Sequence, residues 1–343
     1  MTGLLDVGKV LLGNPDQLPG SIALWAAMPV DMVLRAPPGR SHADRQTTLR
    51  SGFCVTGRGT YSKRTDSTLC VEPHDRDGWW IERTDLPEQL PIQVSVRNVW
   101  NSSRSIVLRS GSPHNYLRMV EHIIALKLGL GIDNALIRIE TGDPPLFDLG
   151  SMPIVEGIDR VGLTELPSRP LTYWTVKEPV TVAGPNGSFL NLQPAKPGER
   201  NLSFDVAVDF PTAIGRQRIQ FDLCEAAFRH GAEARTNCSL MEVIFSKTIG
   251  KLLADVRNLG YTNRNILIAG RRRYVNEPRL LHNGRSLEAV WHRAMLDLVA
   301  ALSLIETGRL AGHVVSYKAG HTLDVRLVTQ LVLRDLLEPL PGS

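Results

Sequence analysis

The sequence predicts an α+β fold of two similar domains, each a small, mostly antiparallel sheet with helices on one face, the helices being sandwiched between the sheets. Three observations lead there. A helix, a glycine and a strand follow one another twice, in "HNYLRMVEHIIALKLGLGIDNALIRIE" and again from "WHRAMLDLVAALSLIETG" into "HVVSYKAG". Short β-branched and aromatic runs broken by turn signals precede the first helix, the pattern of antiparallel strands. Prolines in "TELPSRPLTYW" interrupt the pattern between the halves, and 343 residues suit two domains of ordinary size. The expected division is an extension over 1–47, a first domain over 48–168 and a second over 169–343.

The extension ends in "RAPPGRSHADR", where Pro37, Pro38 and Gly39 block regular structure and the chain is free to drape over the body. Strands follow from "TTLRSGFCVTGRGT" to "WWIERTDLP". In the first helix Leu117, Val120, Ile124 and Leu128 recur at helical spacing, and Gly129 and Gly131 are stop signals. "NALIRIE" alternates as a strand with one buried face does. In the second half "LSFDVAVDF" alternates through Leu202, Phe204, Val206, Val208 and Phe210, and "GPNGS" is a hairpin turn, with no helix pattern after it to make a phosphate cradle. Stacking the halves through their helices brings the first long helix and the last toward one cleft.

Bulk properties narrow the class. Hydrophobic residues at 43% and charged residues at 22% exclude disordered, collagen-like and coiled-coil chains. A net charge of +4 tolerates an anionic substrate but is too weak to argue for nucleic acid, and the arginines of "GRRRYVN" read as a solvated loop. Cys54, Cys70, Cys224 and Cys238 are scattered, suggesting neither a disulfide framework nor a cysteine zinc site, and so a reducing compartment. The opening "MTGLLDVGKVLLGNPDQLPG" lacks the features of a secretory signal, and "SIALWAAMPVDMVL" is too short and broken to span a bilayer. A cytoplasmic monomer is expected, one able to work at a membrane surface.

Few residues carry chemistry by themselves. Glu121 and His122 in "MVEHIIA" point about 100° apart on a helix, so one can bind while its neighbour reaches into the same pocket; an isolated pair of this kind is ordinarily a solvated glutamate beside a half-buried histidine. "SYKAGH" sets His321 after a buried strand, with Lys318 nearby and small Ala319 and Gly320 permitting close backbone approach. Thr236 in "ARTNCS" is a hydroxyl donor, although most threonines cap or turn.

Taken together and in order, these pieces resemble a family. "VEHIIALKLGLGIDNALIRIE" is close to the VEHL-x-AL-x-GLGIDN pattern of the zinc-dependent UDP-3-O-acyl-N-acetylglucosamine deacetylases of lipid A synthesis, and "PPLFDLGSMP", "ART" and "YKAGH" match three further signatures from about Thr47 to Leu333. The resemblance implies the two-domain fold reached above and a Zn2+ cofactor. It implies His122 and Asp297 as zinc ligands, Glu121 as general base, Thr236 as oxyanion donor, His321 as general acid, and Lys318 as a contact to an acylated UDP-amino sugar. The expected activity is amide hydrolysis of an N-acetylated sugar; the alternative is a non-catalytic homologue that binds a sugar nucleotide, a lipid or a protein partner.

The chain departs from the family pattern at one ligand. The family has H-x-x-x-D, whereas here His292 and Asp297 in "VWHRAMLD" are separated by one residue more. A regular helix turns about 500° over five residues, leaving those side chains about 140° apart. Ungapped alignment puts Arg293 at the ligand position, where a guanidinium cannot coordinate zinc. Alignment on His292 makes one residue an insertion that a π-bulge could absorb, restoring His292 as ligand and leaving Arg293 to face substrate. Elsewhere GxGLHSG has become "GRGTYSK", with Thr60 and Tyr61 in place of Leu-His. RTFGF has become "RTNCS", IDFxHP has become "VDFPT", and the acid that orients the catalytic histidine falls at Ala301.

Overall fold

The computed structural model describes residues 5–62, 65–86, 90–253 and 258–340. In chain order the helices are α1 (Leu18–Ala26), α2 (Glu121–Gly129), α3 (Met152–Val161), α4 (Glu225–Ala232), α5 (Leu240–Lys247), α6 (Glu288–His292), α7 (Val299–Leu302) and α8 (His321–Leu333). They lie against two main sheets. A five-stranded sheet has the order Phe53–Arg58, Asp66–Glu72, Ala135–Ile139, Trp79–Arg83, Ile92–Gln93, and only the Ala135–Ile139 to Trp79–Arg83 pairing is parallel. A seven-stranded sheet has the order Lys9–Leu12, Val180–Ala183, Phe189–Gln193, Gly312–Tyr317, Leu202–Asp209, Arg216–Asp222, Met32–Leu34. The expected α+β class holds, and one hydrophobic core runs from Ile81 and Ile137 of the first sheet through α2 and α7 to Phe204 and Val314 of the second.

"NALIRIE" is more deeply placed than its alternation predicts. Its residues Ala135–Ile139 are the middle strand of five, and Ala135, Leu136, Ile137 and Ile139 are all buried; within that strand only Arg138 reaches solvent, between Glu72 and Glu82. The first helix starts one turn later than its apolar spacing predicts. Met119 takes a left-handed φ of 52°, which breaks the helix, so Leu117 reaches the core from a two-residue strand paired with Val107–Arg109. The segment after "YKAGH", not assigned from sequence, is the long helix α8, packed on Val180–Ala183 and Phe189–Gln193.

The segment read from sequence as a separate extension over 1–47 supplies, within its described residues, both edge strands of the second sheet. Lys9–Leu12 pairs in parallel with Val180–Ala183 at one edge and Met32–Leu34 with Arg216–Asp222 at the other. Between them α1 lays Leu18 and Ile22 on Phe189, Ala207 and Val315. Trp25 Nε1 donates to Asp205, whose carboxylate is also gripped by Arg218 at 2.8 and 2.7 Å. Among the described residues no helix is long and apolar enough to cross a membrane.

The cysteine expectation needs correcting. Cys54 and Cys70 are disulfide-bonded, because the antiparallel register of their strands sets them directly opposite each other, while Cys224 and Cys238 are free. Spacing along the chain carries no sign of a pairing that strand register creates.

Candidate active site

The site forms where α2 meets the helical rod built from α6, a π-helical segment over Arg293–Leu298, and α7. The π segment is the structural answer to the five-residue spacing: the wider turn takes up one residue, so His292 and Asp297 both face α2. His292 Nδ1 stands 3.5 Å from Asp297 Oδ1. Room for the wider turn comes from α4, where a Cβ on Gly231 would sit 2.3 Å from Met295 Cγ.

His122 and His292 meet across the helix interface with their Nε2 atoms 3.2 Å apart, and the Thr236 hydroxyl lies within hydrogen-bond distance of both, at 3.3 and 3.1 Å. Burial lowers both imidazole pKa values, that of His122 to about 3 with the neighbouring His292 adding to the effect, so both rings are neutral with lone pairs to offer. Asp297 is buried; desolvation opposes its ionisation, but His321, His292 and Arg293 together hold its carboxyl below the ordinary range. Its Oδ1 has no hydrogen-bond partner. Among the described residues no three His, Cys, Asp or Glu side chains are close enough to hold an ion as they stand.

Opposite this cluster stand an acid and a base. Glu121, at the first turn of α2, is buried, and its Oε2 accepts from the Ile106 N–H at 3.0 Å. Burial raises its pKa to about 7, against the pull of His321. His321 begins α8; its Nε2 lies 3.8 Å from Glu121 Oε1 and 3.7 Å from Asp297 Oδ1. Burial alone would discharge this imidazole, but Asp297, Glu121 and Asp324 outweigh it and raise its pKa. The sequence left His321 without an orienting acid because position 301 is alanine; Asp324, three residues along α8, supplies a carboxylate to the same imidazole's surroundings.

Arg293 points away from the two imidazoles. Its Nε donates to the Ala319 carbonyl at 2.8 Å and its Nη2 to Asp324 Oδ1, while Nη1, 4.0 Å from Asp297 Oδ2, has no hydrogen-bond partner. Lys318 is exposed, with a left-handed φ of 52° and its Nζ 5.8 Å from the Tyr317 ring. Thus Glu121, His122, Thr236, His292, Asp297 and His321 converge, with Arg293 behind them and Lys318 at the rim of its strand.

Sequence reasoning missed two groups that hold this arrangement. Glu288, fully buried at the start of α6, accepts from Arg235 Nε at 2.6 Å, Arg235 Nη2 at 3.0 Å and the Arg279 N–H at 2.7 Å. Arg235 precedes Thr236, so this ion pair fixes the hydroxyl relative to the rod that carries His292. No local pattern could reveal it, as 53 residues separate the partners. Asp324 was legible in principle, since His321 and Asp324 share a helix face at i, i+3 once "HTLDVRLVTQLVL" is recognised as helical. The side chains Leu240, Met241, Ile244 and Phe245 of α5 form an exposed apolar face beside the Thr236–Ser239 strand.

His122 should cost the metal-free protein stability in acid. It binds its proton more readily unfolded, near 6.5, than folded, near 3, so unfolding takes up a proton between those values and the contribution of this imidazole to stability is lost as pH drops below about 6.5. Glu121 and His321, whose folded pKa values are raised, act in the opposite sense over the same range. Chemical denaturation of chelator-treated protein at pH 7.5 and pH 5 checks this: measured against the parent, a His122→Phe variant should be relatively more stable at pH 5 than at pH 7.5.

Residues 46–333 match the sequence model of a family described as UDP-3-O-acyl N-acetylglycosamine deacetylase. The chain is similar to the UDP-3-O-acyl-N-acetylglucosamine deacetylase of Trichormus variabilis, 30% identical over 293 residues that cover 84% of this chain and 98% of that protein. It is similar also to that of Citrifermentans bemidjiense, 31% identical over 291 residues covering 84% and 89%. The deacetylase of Syntrophus aciditrophicus is 29% identical over 288 residues covering 84% and 86%.

Proposed function

Because the chain belongs to the UDP-3-O-acyl N-acetylglycosamine deacetylase family, we propose that it hydrolyses the acetamide of UDP-3-O-acyl-N-acetylglucosamine in lipid A synthesis, using zinc held by His122, His292 and Asp297. The observation that carries the reading is the pair of neutral imidazole Nε2 atoms 3.2 Å apart. Two nitrogens on one tetrahedral zinc, each at ~2.0–2.1 Å, lie about 3.3 Å from each other, so the pair fits the ion with little movement. Asp297 Oδ1, buried without a hydrogen bond, is the third donor, and a cation would satisfy it.

When bound, zinc supplies a Lewis acid that polarises the acetyl carbonyl and brings the pKa of water to ~7. The remaining work falls to the chain. Glu121, its Oε2 anchored on the Ile106 N–H, takes the proton of the attacking water through its other oxygen. The Thr236 hydroxyl, already beside both Nε2 atoms, donates to the oxygen that gains charge as the water adds to the carbonyl carbon. His321, protonated, stabilises that charge and gives its proton to the departing nitrogen as the C–N bond breaks, leaving acetate and a glucosamine amine. Arg293, buried and tied to the Ala319 carbonyl and Asp324, holds the far side of the rod and does not meet substrate, and the exposed Lys318 is a cation for the nucleotide's phosphates. The exposed apolar face of α5 offers the acyl chain a surface next to Thr236.

Purified protein should contain about one zinc per chain and release acetate from the UDP-3-O-acyl substrate, with both lost in His292→Ala. Zinc-free protein that releases no acetate even after zinc is added would instead establish the non-catalytic, ligand-binding reading.

A further inference from the structure

A second concave site lies at the opposite end of α2. Glu121 and His122 sit in the first turn of this nine-residue helix; a cavity of about 140 Å3 lies beside Gly129 at its last, about 12 Å along the axis at 1.5 Å per residue. Arg40, His42, Tyr173, Arg200 and Arg309 line it, and none of them takes part in the cluster described above.

Its charges do not cancel. Arg309 is paired with Asp133 at 3.0 and 2.8 Å, and Arg200 with Asp44 at 2.5 Å. Arg40 makes its hydrogen bond to a neutral group, the Leu223 carbonyl, at 2.6 Å. Glu225, the acid on the wall, is engaged by Arg229 at 2.9 and 2.8 Å. Just beyond the carbonyl end of α2, which would repel an anion, Arg309 Nη2 sets a positive charge by donating to Gly131 O at 2.7 Å. The Arg200 guanidinium lies 5.2 Å from the Tyr173 ring centre, and the His42 ring meets the same ring edge-on at 6.2 Å. Burial and then the three guanidiniums hold His42 below the ordinary imidazole range, so cations dominate what that ring senses.

Three guanidiniums on one wall, from Arg40, Arg200 and Arg309, supply the forked donors that suit a phosphoryl group. The volume admits one such group, whereas sites for drug-sized ligands run to ~300–1,000 Å3. We propose that this cavity is a second ligand site that binds a phosphoryl group, held by Arg40 and His42 of the N-terminal segment on one side and by Arg200 and Arg309 of the body on the other. Arg40 and His42 precede residue 46, where the match to the deacetylase family begins, while Arg200 and Arg309 lie inside it. The site does not depend on the deacetylase reading. Occupancy would tie the segment leading out of Met32–Leu34 to the body and raise the thermal midpoint, since the ligand binds the folded form alone.

The test is calorimetric titration with inorganic phosphate at constant ionic strength and, separately, co-sedimentation with vesicles containing phosphatidic acid. Saturable binding of either probe, weakened at least tenfold by Arg40→Gln and by Arg200→Gln and unchanged by His122→Ala, is expected. Binding of free phosphate would mark a soluble ligand; binding of vesicles alone, with the same mutational pattern, would mark a lipid headgroup. Failure of both probes to bind, or binding that survives Arg40→Gln, or that disappears in His122→Ala, overturns the proposal.

Discussion

Glu121→Ala should lower kcat for acetate release by roughly 10²- to 10⁴-fold, the range general-base catalysis supplies, while leaving zinc content unchanged. The side chain is buried, and the proposed proton transfer has no second carboxylate placed to take it over. Asp297 is held ionised by three cationic or imidazole neighbours and is assigned to the metal. Truncation also removes the acceptor of the Ile106 N–H, so Glu121→Gln, which keeps an oxygen there but cannot accept the proton, is the companion variant. Both should be inactive with normal zinc and a normal melting curve in the glutamine form. A Glu121→Gln enzyme with more than a tenth of the parent kcat would remove Glu121 from the proton transfer.

The largest expected effect on stability comes from Glu288→Ala. Its partner Arg235 is 2% exposed and would be left as an unpaired buried cation, which costs about 3–5 kcal/mol. At a few degrees per kcal/mol the unfolding midpoint should fall by roughly 10 °C. A charge-free pair, Arg235→Met with Glu288→Leu, should regain most of that stability because the penalty arises from the stranded charge. Activity should stay low in the double variant. The bond that the Arg235 N–H donates to Glu288 Oε1, at 3.1 Å, fixes the backbone next to Thr236, and leucine cannot accept it. Recovery of stability and kcat together would show that the ion pair has no positioning role.

The site was legible in the sequence wherever a role depends on residue type in a local pattern. Glu121 and His122 stand in a motif whose helix follows from its apolar spacing, and Thr236 and His321 stand in short signatures of their own. Strand pairing was not legible. Cys54 and Cys70 are sixteen residues apart and meet only because a hairpin register opposes them, and the edge strands of the N-terminal segment find partners more than 160 residues away. Asp324 stayed hidden because the helix that turns it toward His321 was not recognised.

The sequence by itself determined the α+β class, the family and the chemical types gathered in the site, because these follow from hydrophobic periodicity and from ordered motifs. Whether His292 or Arg293 faces His122 was left open by it, since both registers satisfy the same letters. Tertiary packing decided that question. Asp324 and the Ala319 carbonyl bind the guanidinium on one side of the rod, and glycine at position 231 lets α4 close on Met295. A π turn that an isolated helix would disfavour thereby becomes the arrangement that leaves the Arg293 charge paired and sets His292 against His122.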